Sequence, residues 1–392
     1  MTAVARCKFT RSRLSEGRSA DVEVIEIANG ALRLFLLPQR GMGIWKVFLG
    51  DIEFGWQSPV TGPVHPMLVP IQDGSGLGWL EGFDELLCRC GLQSFGPPVF
   101  DPNGRLVYPL HGRIANLPAE AIEIRHDDAT GQLDLVGVVR EARFHQFNLR
   151  LTSTLTIRPG EQSFSVRDEI TNLSHAPADC QLLYHYNIGL PLLGEGAEVV
   201  APIRELAPRD ARAAEGIAEW ASIGPPVAGY AEQVFYSMLH ADADGTTQVM
   251  LKGPDGQIGT GLQFNIHQLP CFIVWKNAVD ARDGYVVGIE PGTGFANPRP
   301  FEVEQGRVVA LGSGESKHFD VRFEFYGDRK QVRTAEQQIE ALQRAAVPIV
   351  FSQPRSGWSP GALPATSRLR SGEVQGTPSL TGSRSSASER HE

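Results

Sequence analysis

Phe147-Asn148-Leu149-Arg150-Leu151-Thr152-Ser153-Thr154-Leu155-Thr156-Ile157 alternates apolar and polar side chains. Phe147, Leu149, Leu151, Leu155 and Ile157 fall on one face; Asn148, Arg150, Thr152, Thr154 and Thr156 fall on the other. Successive strand side chains point to opposite sides, so this period of two predicts an antiparallel strand with one face buried and one in water. Arg158-Pro159-Gly160-Glu161 supplies the turn, and Phe164, Val166 and Ile170 line the apolar face of the next strand. Asp168 interrupts that face, which predicts a buried partner for its carboxylate.

The same pattern recurs on both sides. Residues 21–27 and 31–37 flank Asn29-Gly30, a two-residue hairpin signal. Strands are also predicted at 43–49, 233–240, 248–252, 261–266, 272–275, 285–289, 307–311 and 318–326. Helices are scarce. One short helix is expected at 208–215, and a longer one at 334–346 with Thr334 as its cap. No βαβ unit is legible. The body, residues 19–346, is therefore predicted to be mainly β, a large antiparallel β-sandwich with a short C-terminal helix. Residues 1–18 are polar and expected to be loosely held. Residues 347–392, rich in Ser, Pro, Gly, Thr and Arg, are expected to form a disordered tail.

Composition narrows the function. The 392 residues are 42% hydrophobic, enough for a sizeable core, and the net charge of −9 offers no basic patch for nucleic acid. No run reaches the ~18 to 20 apolar residues of a membrane span, and the basic N-terminus lacks the apolar stretch of a secretory signal. Five cysteines in no disulfide-like framework point to reduced thiols and a cytoplasmic protein. In Cys88-Arg89-Cys90 a strand would turn both thiols the same way, as small buried hydrophobes. The Gly-, Pro- and aromatic-rich segment 56–98 is irregular, and its aromatics favour a functional loop over disorder.

Three places bring titratable groups to strand ends. In Leu182-Leu183-Tyr184-His185-Tyr186-Asn187-Ile188-Gly189-Leu190-Pro191, alternation puts His185 and Asn187 on one side. In Pro109-Leu110-His111-Gly112-Arg113, His111 and Arg113 are expected on one face of a strand end. In Tyr285-Val286-Val287-Gly288-Ile289-Glu290-Pro291-Gly292, Glu290 closes an apolar strand, where a carboxylate is costly unless paired or used. Two histidines and a glutamate suit general acid–base chemistry, or a metal site. No His-x-His or His-x-x-x-His pair favours metal, and no Gly-x-Ser-x-Gly elbow marks a serine nucleophile.

The ordered set His111-Gly112-Arg113, Tyr184-His185-Tyr186-Asn187 with Gly189 and Pro191, and Gly288-Ile289-Glu290-Pro291 resembles the three active-site segments of the galactose-mutarotase-like superfamily. The likeness runs over most of residues 20–330 and is to the poorly characterised aldose-1-epimerase-like branch. It implies a large twisted sandwich, the mutarotase supersandwich, with a small-molecule carbohydrate in a cleft on one sheet. It implies His185 as the acid on the ring oxygen, Glu290 as the base on the anomeric hydroxyl, and no cofactor. His111 and Asn187 would bind substrate, one of Arg113, Arg89 and Arg40 would help hold the sugar, and Trp79 and Trp275 would stack on it. Tyr-His-Tyr-Asn-Ile-Gly replaces the Asn-His-aromatic-Phe-Asn of typical galactose mutarotases, and the assisting acid falls to Asp242, Asp244 or Glu81. The sugar expected from this resemblance is a free sugar or a derivative, a phosphosugar included. Two other readings use the same cleft: a non-catalytic carbohydrate-binding or regulatory protein, and a metal-dependent sugar isomerase using His111, His185 and Glu290.

Overall fold

A computed structural model describes residues 6–360. Among these residues, two large sheets face each other. In the first, the strands run Lys8–Arg13, Glu23–Ala28, Leu32–Leu37, Gly43–Leu49, Leu87–Leu92, Ala178–Ile188, Val286–Gly292, Cys271–Asn277, Gln233–Leu239, Ile203–Pro208 and Ile349–Val350. In the second they run Ser222–Ile223, Ala197–Val200, Thr246–Lys252, Gly259–Asn265, Ser316–Tyr326, Ser163–Asn172, Phe147–Ile157, Leu133–Arg143 and Ala119–His126. The neighbours pair antiparallel except for the last of the first sheet.

Phe147–Ile157 is the strand its alternation predicts, paired Leu151↔Val139 on one side and Leu155↔Val166 on the other. Leu149, Leu151, Leu155 and Ile157 are buried against the first sheet, a burial of roughly 1.5–3 kcal/mol for each side chain. The Asn29-Gly30 hairpin joins Glu23–Ala28 to Leu32–Leu37, with Gly30 at φ +96°, a conformation glycine adopts without steric cost.

Ala178–Ile188 lies in the middle of the first sheet, between Leu87–Leu92 and Val286–Gly292. Period two divides its side chains. Leu182, Tyr184, Tyr186 and Ile188 enter the core between the sheets. Leu183, His185 and Asn187 face the other way, with Cys88, Cys90, Ile273 and Glu290 on the adjoining strands. The five cysteines are free and buried.

Several expectations change. Leu87–Leu92 is a central strand inside a segment expected to be irregular. It is buried on both faces, so its sequence does not alternate. Lys8–Arg13 is ordered as an edge strand, held by backbone pairing from Lys8↔Ala28 to Arg13↔Glu23 that needs no apolar side chains; residues 1–5 lie outside the described part. The long helix is Arg329–Gln343. Its cap is Asp328, whose side chain accepts from the Gln331 N–H at 2.9 Å, while Thr334 sits inside and donates to the Lys330 carbonyl. The segment after it is folded as far as residue 360. Ile349–Val350 pairs in parallel with Glu205 and Leu206, and Trp358 is buried against Phe295. Residues 361–392, most of the expected tail, lie outside the described part. Among the described residues no helix is long and apolar enough to cross a membrane.

Candidate active site

The outward face of the first sheet's central strands carries His185 and Glu290, on neighbouring strands, with Nε2 and Oε1 3.3 Å apart. Asn187 fixes the imidazole. Its Nδ2 donates to the carbonyls of Glu85 (3.0 Å) and His185 (3.1 Å), so its Oδ1 accepts, 2.5 Å from His185 Nδ1. The network therefore assigns the hydrogen to Nδ1 and leaves Nε2 unprotonated near Glu290 Oε1, without the geometry of a hydrogen bond between them.

Both groups are almost fully buried, and burial sets their charge. It pushes the His185 imidazole down to about 4, against the smaller opposing effects of Asn187 and Glu232. It holds the Glu290 carboxyl well above the ordinary range, and nearby Glu232 adds to this. Burial thus pushes both groups toward their uncharged forms.

Aromatic rings enclose the pair. Phe83 lies 5.2 Å from the His185 ring, Trp275 5.4 Å, His111 5.2 Å and Trp79 6.0 Å; Trp79 also packs 4.6 Å from His111. Trp79 Nε1, His111 Nδ1 and Glu290 Oε1 are buried without a hydrogen-bond partner. Buried polar atoms are normally satisfied, so three orphans around one pair define a place that wants a polar guest.

The structure brings His111, Trp79, Trp275 and Asn187 to His185 and Glu290, and it places the three arginines elsewhere. Arg89 points into the core between the sheets. It pairs there with Asp168, which also accepts from the Tyr184 hydroxyl at 2.9 Å. Alternation explains this, because Cys88 and Cys90 take the site face and Arg89 must take the other. Arg40 is buried and its donors are engaged by Glu85 (2.8 Å), the Gly82 carbonyl (2.6 Å) and Asn116. Arg113 lines a separate small crevice with Glu141. It does not share a strand face with His111, because His111 (φ +55°) and Gly112 (φ +75°) form a left-handed turn. Glu81 pairs with Arg18 at the surface, and Asp242 caps its own turn through Asp244 N–H and Thr246 N–H.

The acidic neighbour of the pair is Glu232. It accepts from Trp275 Nε1 (2.7 Å) and from Arg209 (3.0 Å), and Arg209 also holds Asp210 (2.9 Å). Glu232 stands just before the strand Gln233–Leu239, outside any periodic pattern, so the sequence left it unmarked. The C-terminal segment was equally unmarked. Phe351 and Trp358 pack over the same face, and Asn297 donates to the Trp358 carbonyl at 2.8 Å.

The antiparallel β-sandwich is the fold of solved galactose mutarotase-like proteins. The chain belongs to the family described as "Domain of unknown function (DUF4432)", which matches residues 19–325. A Klebsiella pneumoniae structure described as a "putative aldose 1-epimerase" is 34% identical, covers 89% of this chain and 91% of its own, and superposes with a TM-score of 0.86. Two others share the fold at 12% identity, each covering 82% of this chain and 99% of its own. They are a galactose mutarotase-like protein of Clostridium acetobutylicum (TM-score 0.57) and a galactose 1-epimerase of Lactobacillus acidophilus (TM-score 0.53). Among curated proteins none matches the sequence.

Proposed function

We propose that this protein is an aldose 1-epimerase-type isomerase that interconverts the anomers of an uncharged sugar through His185 and Glu290. The observation that carries this reading is the convergence of Trp79 Nε1, His111 Nδ1 and Glu290 Oε1, all unpartnered, on a histidine–carboxyl pair. A donor and two titratable acceptors in that arrangement suit a set of sugar hydroxyls, and the surrounding rings suit the C–H faces of a pyranose.

The His185–Glu290 pair holds one proton, and the reaction needs one. Sugar hydroxyls entering the site supply the polar partners that burial removed, which favours the form with protonated His185 and ionised Glu290. The imidazolium then gives its Nε2 proton to the ring oxygen while the Glu290 carboxylate takes the proton of the anomeric hydroxyl. The C1–O5 bond breaks, the anomeric carbon becomes the aldehyde, and the C1–C2 bond rotates. Closure on the other face returns both protons, and the pair ends as it began. Asn187 keeps Nδ1–H engaged so that Nε2 faces the substrate. Glu232, held by Trp275 and Arg209, is placed to accept from a further hydroxyl. Arg40 and Arg89 face carboxylates, Arg209 is shared by Glu232 and Asp210, and Arg113 stands near Glu141. That favours an uncharged sugar over a phosphosugar. Phe83 and Trp79 must swing aside to admit a ring, because both pack directly on the histidines.

The test is NMR of freshly dissolved α- and β-anomers with the parent and with Glu290→Gln. The parent should speed equilibration, and the variant should lose about 10²–10⁴-fold of that rate with sugar binding retained. Sugar-induced shifts without acceleration would replace this reading by a carbohydrate-binding protein.

A further inference from the structure

We propose that Glu141, on the second sheet, is a positioning residue that holds His111 over His185 through the segment 91–96, the end of the strand Leu87–Leu92 and the turn after it. The inference rests on the reading that His111 serves the sugar site. The His111 ring has no hydrogen bond at Nδ1, so its place depends on packing and on its backbone. That backbone is left-handed at φ +55°, which costs a non-glycine residue of order ~1 kcal/mol and persists only where neighbours impose it.

The neighbours belong to that one segment. Gly91 N–H donates to the His111 carbonyl (3.2 Å), the Gly91 carbonyl accepts from Arg113 N–H (3.0 Å), and His111 N–H donates to the Gly96 carbonyl (2.9 Å). Glu141 clamps that loop from the opposite sheet. Its Oε2 accepts from Leu92 N–H at 2.7 Å and from Gln93 N–H at 3.4 Å, and the side chain is almost completely buried. A carboxylate accepts both amides readily, and a carboxylic acid accepts them less well. The clamp therefore tightens when Glu141 ionises.

Burial pushes the Glu141 carboxyl up to about 7, opposed by the two loop amides, by Arg113 from the His111 turn and by Arg143 from its own strand. Tyr108 lines the same crevice. The clamp thus changes state near neutral pH, while burial and His185 hold the His111 imidazole well below its usual range, so His111 itself stays neutral there.

The experiment follows the His111 ring C–H and 15N resonances from about pH 6 to 8.5 in the parent and in Glu141→Gln, with anomer equilibration measured over the same range. In the parent, the His111 C–H resonances should move with a midpoint near 7 while its 15N shifts stay those of a neutral imidazole. The parent's kcat/KM should rise through the same midpoint. In Glu141→Gln the component with a midpoint near 7 should vanish from both, with kcat/KM lowered about tenfold, the scale of loss expected from a small misplacement. A His111 spectrum flat with pH in the parent, or an unchanged pH response in Glu141→Gln, overturns the proposal. The parent titration decides even where the variant does not fold. A parent that turns over no sugar sinks the epimerase reading and leaves the resonance measurement to judge the clamp.

Discussion

Replacing His185 by Gln should change how stability depends on pH, and Glu290→Gln should change it in the opposite sense. In the folded protein burial holds His185 at about 4, whereas an unfolded chain protonates it near 6.5. As the pH falls from about 6.5, the unfolded state takes up a proton that the folded state refuses, so the parent loses stability until about 4. At ~1.36 kcal/mol per pKa unit, the gap between 6.5 and about 4 is worth ~3 kcal/mol. His185→Gln lacks this loss. Glu290 behaves conversely. Its folded carboxyl keeps its proton above 4.5, where the unfolded chain gives it up, so the parent loses ~1.4 kcal/mol per pH unit as the pH rises toward the folded value. Glu290→Gln removes that slope. Between about 4.5 and 6.5 the two contributions oppose each other in the parent, and each single variant uncovers the other. Glu141 also titrates abnormally, but it is present in all three proteins and cancels in the differences; His111, held down first by burial and then by His185, loses only that second push in His185→Gln. Urea unfolding from about pH 4 to 8 on the parent and both variants measures these slopes. Parallel curves for the parent and His185→Gln would refute the reasoning, because they require a histidine that titrates as it would in water.

Two further substitutions test the fold around the site. Arg89→Leu leaves Asp168 as an uncompensated charge in the core and should cost ~3–5 kcal/mol in urea unfolding. Sugar affinity of the folded protein should be unchanged, because Arg89 lies on the opposite face from His185; a selective loss of affinity would return Arg89 to the cleft. Trp358→Ala removes a buried ring that packs 4.9 Å from Phe295 and lies under the Arg355 guanidinium at 4.7 Å. It should cost about 3 kcal/mol, and a loss under ~1 kcal/mol would mean that residues 347–360 are not integral to the domain.

Phe147–Ile157 and the Asn29-Gly30 hairpin were legible because alternation and turn chemistry are local properties, set by residues one or two positions apart. The positions of His185 and Asn187 on one face followed from the same period. Tertiary structure alone decided the rest. Leu87–Leu92 could not be read as a strand because burial on both faces erases alternation, and that hidden strand carried Arg89 into the core. Glu232 joined the pair through the pairing of Gln233–Leu239 with Cys271–Asn277, far apart in sequence. Residues 347–360 look like a solvated tail by composition, yet Phe351 and Trp358 find an apolar face prepared by other strands. The charge states were the least legible. The sequence by itself determined that a histidine and a glutamate stood at strand ends. Only their enclosure by Trp79, Phe83 and Trp275 decided that both are pushed toward their uncharged forms, because the cost of a charge depends on the solvent that distant residues exclude.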